Sequence, residues 1–329
     1  MDGVKDAAKV YRMIVQLRST NIRNLIDEVD LMYYVNDAGL SCFLVIKAVL
    51  DELYEKLPVP RHGKTKDEII QEKLVELRKD YDYLPMGKLP DYTDLYKRFA
   101  YLYCYVPAHA NILYRLIDWK LGNVFNENEV KVSCFGGGPG SDLLGIVKFM
   151  VERNKSAKLR CNMYDKEEIW CNSLRSICKN TKKSFSASSS FNPLDITIPD
   201  TWVKYSALWD VDLFTMSYFV SEVCPMRKQS EIFFTTLFER AKKGSHFLLV
   251  DNCSGKSHYW FDSLIENHNE WASNNFLELL GGSDNQICTM TYNEQRTDLG
   301  LFYEKFKDTS MPKTLGKEKP FVYRIYRKN

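Results

Sequence analysis

The stretch that decides the fold reads Val132-Ser133-Cys134-Phe135-Gly136-Gly137-Gly138-Pro139-Gly140-Ser141-Asp142-Leu143-Leu144-Gly145. An apolar run ends at Phe135, four glycines and a proline follow, and an amphipathic segment begins at Ser141. Glycine is required where the backbone turns through positive φ or where a ligand approaches the main chain closely. The first turn of a following helix leaves backbone N–H groups free to bind that ligand. The stretch therefore predicts a strand, a ligand-binding loop and a helix.

The spacing of these glycines separates three kinds of nucleotide-binding loop. The dinucleotide fingerprint Gly-x-Gly-x-x-Gly needs a glycine where the chain has Ser141 or Leu143. A P-loop ends in Gly-Lys-Ser/Thr, whereas apolar residues follow Gly145. The spacing that fits is Gly136-x-Gly138-x-Gly140. It resembles the first motif of the class I S-adenosylmethionine-dependent methyltransferases, whose loop wraps the methionine and ribose portions of the cofactor, although the family often has an acidic residue just before it.

The resemblance implies further cofactor-binding residues along the chain. In the family an acidic residue at the end of the second strand accepts hydrogen bonds from the ribose hydroxyls, and Asp165, followed by Lys166, stands there. After the third strand, Asp195 would lie near the adenine amino group, with Ile196 or Leu194 on the adenine face. A turn-forming role for Asp195 is the alternative. The full cofactor set is Gly136, Gly137, Gly138, Gly140, Asp142, Asp165, Lys166, Asp195, Ile196, Ser217 and Tyr218.

Candidates for catalysis and acceptor binding follow the later strands and the helix before the sheet. By the resemblance, residues after the fourth strand face the transferred methyl group, and a preceding helix closes the site. The catalytic candidates are Tyr218, Glu222, Asp251 and His109, and the candidates for acceptor binding are Asn252, His258 and Tyr105. A general base is needed only where the acceptor is protonated at the working pH. The sequence does not rank these candidates.

Short β-rich runs alternate with helical stretches after residue 130. The predicted strands are 130–135, 159–164, 184–192, 212–217, 245–250, 286–292 and 321–326, and the predicted helices are 142–153, 166–181, 228–242 and 258–269. Such alternation is typical of a mostly parallel sheet covered on both faces. With the resemblance, we expect an α/β fold: a doubly wound, mostly parallel, seven-stranded Rossmann-like methyltransferase sheet with a helical N-terminal extension.

The chain before residue 126 differs in character. Apolar residues recur at helical spacing over 10–17 and 40–54, and Thr65 with Glu68 predicts a capping box. A helical stretch over 94–121 is interrupted at Pro107. We expect two domains, a helical cap or substrate region over 1–125 and an S-adenosylmethionine-binding domain over 126–329. The tyrosine-rich part of the cap either covers the cofactor or packs as an amphipathic helix.

Composition excludes several classes of protein. The chain has 45 basic and 43 acidic residues, a net charge of +2, so nothing global indicates nucleic acid or an anionic membrane as a partner. No apolar run has the length of a membrane helix, and no basic flank with an apolar stretch opens the chain. We expect a soluble intracellular protein, cytoplasmic or nuclear. The 9 cysteines include no Cys-x-x-Cys pair, which predicts reduced thiols and no structural metal.

The expected activity is methyl transfer from S-adenosylmethionine by in-line displacement. A small molecule, a protein and RNA all stay open as acceptors. Basic residues outnumber acidic ones over 148–183 and 304–329, which could track RNA phosphates, but the near-neutral total charge favours solvated helix faces, so RNA is possible and not favoured. A non-catalytic S-adenosylmethionine-binding sensor or scaffold is the alternative function. The oligomeric state is not predicted.

Overall fold

A computed structural model describes residues 39–61, 63–86, 90–181, 185–253, 256–272, 276–286, 296–309 and 320–329. Within these ranges, the chain from Ser41 to Asn329 forms one compact unit. The helix predicted over 10–17 lies outside the described residues, and the domain boundary near residue 125 stays a prediction.

One sheet of seven strands organises the described chain. The strands are β1 (Glu129–Phe135), β2 (Lys158–Asp165), β3 (Ala187–Pro193), β4 (Leu213–Ser217), β5 (His246–Asn252), β6 (Leu277–Gln286) and β7 (Phe321–Lys328). Their order across the sheet is β3-β2-β1-β4-β5-β7-β6. Strands β1 to β5 pair in parallel, and β7 pairs antiparallel with both β5 and β6. The predicted doubly wound, mostly parallel α/β sheet is confirmed.

Helices precede the sheet and connect its strands. They are α1 (Cys42–Lys56), α2 (Lys66–Asp82), α3 (Leu95–Cys104), α4 (Val106–Leu116), α5 (Ser141–Glu152), α6 (Trp170–Asn180), α7 (Pro199–Trp202), α8 (Val220–Val223), α9 (Arg227–Arg240), α10 (Ser257–Trp271) and α11 (Leu301–Phe306). The predicted capping box opens α2, where Thr65 and Glu68 each bond the other's backbone N–H. Pro107 lies in the first turn of α4, where its missing N–H removes no helical hydrogen bond, so the predicted interruption separates α3 from α4.

The helices lie on both faces of the sheet. From β1 the strand order runs outward in two directions, and right-handed crossovers then put α5 and α6 on one face and α9 and α10 on the other. On the first face α4 packs against α5, and α1 packs against α6. On the second face an aromatic core includes Phe233 and Phe234 of α9 and Phe261 of α10. Both faces of the central strands are therefore buried, as their apolar sequences require.

Of the seven strands, β6 is the one whose position the sequence pattern does not predict. It contains Gly281 and Gly282, both poor strand formers, and most of its residues are at least partly exposed. It forms because β7 supplies a partner, in a register with irregularities after Leu279 and Ser283. The strand predicted over 286–292 overlaps β6 only at Gln286, and residues 287–292 lie outside the described ranges.

Candidate cofactor site and active site

A pocket opens at the carboxyl edge of the sheet, at the ends of β1 and β4. These strands are neighbours, but the chain after β1 leads to β2 on one side and the chain after β4 leads to β5 on the other. In open α/β sheets, ligands bind at such a switch point. The space inside the pocket, including its opening to solvent, is about 750 Å³. Seven predicted residues line it, namely Gly136, Gly138, Asp165, Lys166, Asp195, Ile196 and Glu222.

The glycine loop has the backbone geometry that its spacing predicts. Gly136, Gly138 and Gly140 have φ values of +60°, +47° and +105°, a region that side chains disfavour. A Cβ at Gly136 would collide with the ring of Phe219. At Gly138 the nearest atom to such a Cβ is a carboxylate oxygen of Asp165, 3.9 Å away, so here the glycine leaves space beside the pocket. The loop therefore needs glycine for two reasons: the backbone turns through positive φ, and a side chain at Gly138 would occupy space beside the pocket.

Asp165 connects the end of β2 to this loop. Its Oδ2 accepts a hydrogen bond of 2.9 Å from the Gly138 N–H, and its Oδ1 accepts one of 2.9 Å from the Glu167 N–H. Burial raises the pKa of Asp165 to about 6, although these two N–H groups act in the opposite direction. Each carboxylate oxygen keeps a second lone pair, and the side chain lines the pocket. Asp165 can therefore accept further hydrogen bonds from a ligand.

Asp195 forms a turn and also lines the pocket. Its Oδ1 accepts hydrogen bonds from the Thr197 N–H at 2.9 Å and the Thr197 hydroxyl at 2.6 Å, which is the pattern of a turn-forming aspartate. It also lines the pocket, between the buried side chains of Leu194 and Ile196. The turn holds two apolar side chains and a carboxylate at one end of the pocket.

Glu222 on α8 reaches the pocket from the opposite side. Burial raises its pKa to about 8, and the negative charge of Asp165 adds to the increase while Lys166 opposes it. With Glu167 and Asp195, the pocket lining contains four carboxyl groups and one ammonium group. The pocket thus favours a ligand that carries positive charge.

Aromatic side chains from the turn before α3, from α3 and from α6 form one wall of this pocket. The rings of Tyr92 and Tyr101 lie 4.8 Å and 5.3 Å from that of Trp170, and all three line the pocket. Behind them, the hydroxyls of Tyr81 and Tyr92 are 2.9 Å apart. No pattern in the sequence indicated Tyr92 or Trp170 as pocket residues. The tyrosine-rich segment around Tyr101 was the only signal for this wall.

Tyr218, His109 and Tyr105 come together beside the pocket lining rather than in it. The Tyr218 ring stacks on the His109 ring with centroids 3.8 Å apart, and the Tyr105 ring lies 5.6 Å from His109. Tyr218 has a φ of +58°, which is uncommon for a bulky residue and marks local strain of the kind that clusters at functional sites. Burial lowers the pKa of His109 to about 3, so its imidazole is neutral at physiological pH.

Asp251 and Asp142 serve as internal connectors. The buried Asp251 carboxylate accepts hydrogen bonds from the Ser221 N–H at 2.7 Å and the Ser257 hydroxyl at 3.3 Å, which ties β5 to α8 and α10. Burial raises its pKa to about 6, against the effect of these donors. Asp142 on α5 accepts a 2.5 Å hydrogen bond from the Thr215 hydroxyl on β4. Neither side chain lines the pocket.

The remaining predicted residues also lie outside the pocket lining. Gly137 and Gly140 belong to the loop, where the Gly137 N–H donates to the Tyr164 carbonyl at 3.3 Å and Gly140 caps α5. Ser217 and Asn252 are part-buried at the ends of β4 and β5. The His258 side chain is buried, with its Nε2 3.7 Å from a carboxylate oxygen of Asp284.

Comparison with known proteins gives distant structural matches alone. No family model and no curated protein matches the chain. Similar solved structures include the 16S rRNA methylase ArmA, 15% identical, covering 78% of this chain and 98% of that chain with a TM-score of 0.38. Magnesium protoporphyrin IX methyltransferase from Synechocystis PCC 6803 with bound SAM is 8% identical, covering 82% and 100%, with a TM-score of 0.40. The plantazolicin methyltransferase BpumL, in complex with a triazolic desmethylPZN analogue and SAH, is 14% identical, covering 79% and 99%, with a TM-score of 0.40.

At these identities and TM-scores the fold assignment rests on the strand order. The seven-stranded, mostly parallel α/β sheet, in which only β7 is reversed between β5 and β6, matches the Rossmann-like sheet that the sequence predicts. In the part of the chain that the structure describes, no helix has the length and apolar character needed to cross a membrane. Across the same ranges, no three His, Cys, Asp or Glu side chains are grouped to hold a metal ion.

Proposed function

We propose that this chain binds S-adenosylmethionine in the pocket at the β1–β4 switch point and transfers its methyl group to an acceptor by in-line displacement. One observation carries the proposal: the positive-φ glycine loop, Asp165 and the Asp195–Ile196 turn all face the same cavity. These are separate segments of the chain, and the fold brings them to one edge of the sheet.

The pocket residues fit this cofactor chemically. The Asp165 carboxylate can accept hydrogen bonds from ribose hydroxyls, and Leu194 and Ile196 offer apolar surface to a flat ring. The excess of carboxyl groups complements a ligand with a sulfonium and an ammonium group. The faces of Tyr101 and Trp170 attract the same positive charge. When bound, the cofactor supplies an electrophilic methyl group.

We assign the role of general base to Glu222. Of the four catalytic candidates it alone lines the pocket. Asp251 is buried and already accepts hydrogen bonds from two neighbouring segments, and His109 has a pKa too low for efficient proton abstraction near neutrality. The pKa of Glu222 is about 8 in the free protein, and a cationic cofactor lowers it, so that the carboxylate is ionised near neutrality and can accept a proton from an acceptor. Tyr218 and His109 then act as positioning residues at the border of the site.

Calorimetric titration with S-adenosylmethionine and S-adenosylhomocysteine tests the cofactor part of the proposal. We expect micromolar binding to the wild type and its loss in Gly138→Arg and Asp165→Ala. Gly244→Arg is the matched control, because Gly244 also has positive φ but lies in a surface turn between α9 and β5 with open space around it. Absence of binding heat and of any thermal shift in the wild type would refute the proposal.

Labelled methyl donor tests the transfer step. RNA, protein and metabolite fractions of a cell extract are incubated in turn with the wild type and with Glu222→Gln. Methylated product in one fraction, reduced in the variant, is the expected result. Tight cofactor binding without product in any fraction would favour the alternative, a non-catalytic sensor or scaffold.

A further inference from the structure

Arg98 on α3 is buried without the partners that a buried charge requires. Only 7% of the residue is exposed, and its Nε has no hydrogen-bond partner among the described residues. The neighbouring Lys97, equally buried, pairs with Asp80 at 2.8 Å and Glu76 at 2.5 Å. An unpaired buried donor destabilises a fold, and a guanidinium has five N–H donors to satisfy. A buried guanidinium without a partner is a feature typical of a ligand-binding residue.

Arg98 faces a groove with a marked excess of positive charge. The groove lies between α1, α3 and α6, has a volume of about 1160 Å³ including its open mouth, and is also lined by Lys56, Arg175 and Lys179. Glu52 is its one acidic lining residue in the part of the chain that the structure describes. The Glu52 carboxylate is already bound by Lys179 at 2.7 Å and by the Ser176 hydroxyl at 2.7 Å. Four cations thus face a groove with a single, satisfied carboxylate.

The groove lies next to the proposed cofactor pocket. Tyr101 on α3 and Trp170 on α6 line the pocket, whereas Arg98 and Ser173, each three residues away on the same helix, line the groove. Residues three apart lie on the same side of a helix, about 4.5 Å apart along its axis. The two sites are therefore separated by about one helical turn on each helix.

We propose that this groove binds phosphate groups, with the guanidinium of Arg98 as the fixed ligand and the side chains of Lys56, Arg175 and Lys179 as mobile ones. A guanidinium fork matches phosphate oxygens in a bidentate arrangement, and ammonium groups add charge without strict geometry. The four positive charges exceed what a ligand with a single carboxylate could neutralise. A phosphate group carries up to two negative charges, and a nucleic-acid strand carries one at each nucleotide. The phosphate belongs either to an RNA strand or to a small phosphorylated molecule.

Fluorescence anisotropy with a short labelled single-stranded RNA, in the absence of cofactor, tests the groove independently of methyl transfer. Lys56→Ala combined with Arg175→Ala removes two exposed groove cations. The matched control combines Lys228→Ala and Lys243→Ala, two exposed cations at α9 and the turn after it, on the opposite face of the sheet. We expect the groove pair to weaken RNA binding at least about tenfold and to reduce the salt slope by about two, with little effect of the control pair.

Arg98→Met separates a ligand-binding role from a structural one. Because the change replaces an unpaired buried charge with an apolar side chain of similar length, the melting temperature should stay equal or rise while RNA affinity falls. Unchanged affinity for S-adenosylmethionine shows that the neighbouring pocket is intact. A large drop in melting temperature would assign Arg98 to the fold and overturn its role as a ligand.

Competition identifies the source of the phosphate. Displacement of RNA by millimolar inorganic phosphate or a mononucleotide, lost in the groove variants, indicates a small phosphorylated ligand. Displacement by unlabelled RNA alone indicates a strand. The proposal fails if the groove variant and the control variant weaken RNA binding equally, or if neither variant weakens it. It also fails if polyglutamate competes as well as RNA, because the groove would then bind acidic protein.

Discussion

Glu222→Gln is expected to remove a pH dependence of cofactor affinity that the wild type shows between about pH 6 and 9. The pKa of Glu222 is raised to about 8, first by burial and then by Asp165, so the carboxyl of the free protein is protonated at neutral pH. A cationic ligand favours the ionised carboxylate and lowers this pKa. Binding therefore releases a proton near neutrality, and affinity increases as the pH rises through the free-protein pKa.

The size of the effect follows from the charge separation that the pocket allows. A positive charge about 6 Å from the carboxylate, at an effective dielectric constant of about 20, stabilises the ionised form by roughly 3 kcal/mol, or about two pKa units. The pKa of Glu222 would then fall from about 8 to about 6 on binding. Affinity for S-adenosylmethionine should rise roughly 50-fold between pH 6 and 9, with release of about 0.8 proton at pH 7.

Calorimetry in buffers of different ionisation enthalpy counts the released protons directly. Glu222→Gln should release almost none and should show a nearly flat affinity profile. Glu168→Gln is the matched control, since Glu168 is an exposed carboxyl outside the pocket lining and its removal should leave proton release unchanged. Equal proton release in the wild type and Glu222→Gln would refute the assignment of this titration to Glu222.

Three further substitutions test the site and the packing around it. Asp165→Asn should weaken S-adenosylmethionine binding about 10- to 100-fold in calorimetry, because an amide replaces a charged acceptor; unchanged affinity would contradict the ribose contact. Gly145→Ala puts a methyl group 2.5 Å from the Ala110 carbonyl oxygen and should lower the unfolding free energy in urea by about 1–3 kcal/mol, whereas Gly122→Ala, with 3.5 Å of room, should be tolerated. Arg324→Ala leaves Asp262 and Asp284 without their guanidinium partner and should lower the unfolding free energy by about 2–4 kcal/mol. The loss is smaller than for a fully buried pair because the Asp284 side chain is half-exposed. A loss below about 1 kcal/mol would show that solvent screens these ion pairs.

The parts of the site that the sequence predicts correctly depend on local geometry. Positive φ at Gly136, Gly138 and Gly140 is a property of the loop itself, so the glycine spacing alone indicates where the backbone turns. Asp165 ends a strand whose apolar pattern is legible in the sequence, and parallel strands bring their carboxyl ends to one edge. Local patterns therefore suffice to predict this part of the pocket lining.

The parts of the pocket and of the fold that the sequence does not predict depend on contacts between distant segments. Tyr92, in the turn before α3, and Trp170 on α6 are far apart in the sequence and meet only in the folded chain, and nothing near either residue in the sequence indicates that contact. Asp251 illustrates the same dependence: its position at a strand end is evident in the sequence, whereas the hydrogen bonds that tie it to α8 and α10 come from the tertiary structure. Strand β6 likewise depends on β7 rather than on its own β propensity.

The place of β7 has a consequence for synthesis on the ribosome. In the described sheet β6 pairs with β7 alone, and β7 also covers the edge of β5. Between the end of β6 at Gln286 and the end of β7 at Lys328 the ribosome adds 42 residues. At about 5–20 residues per second this takes roughly 2–8 seconds, during which β5 and β6 both have an edge in the nascent chain without its β7 partner. A rare-codon pause within this interval would lengthen the period in which chaperones, or a second nascent chain, can bind those edges.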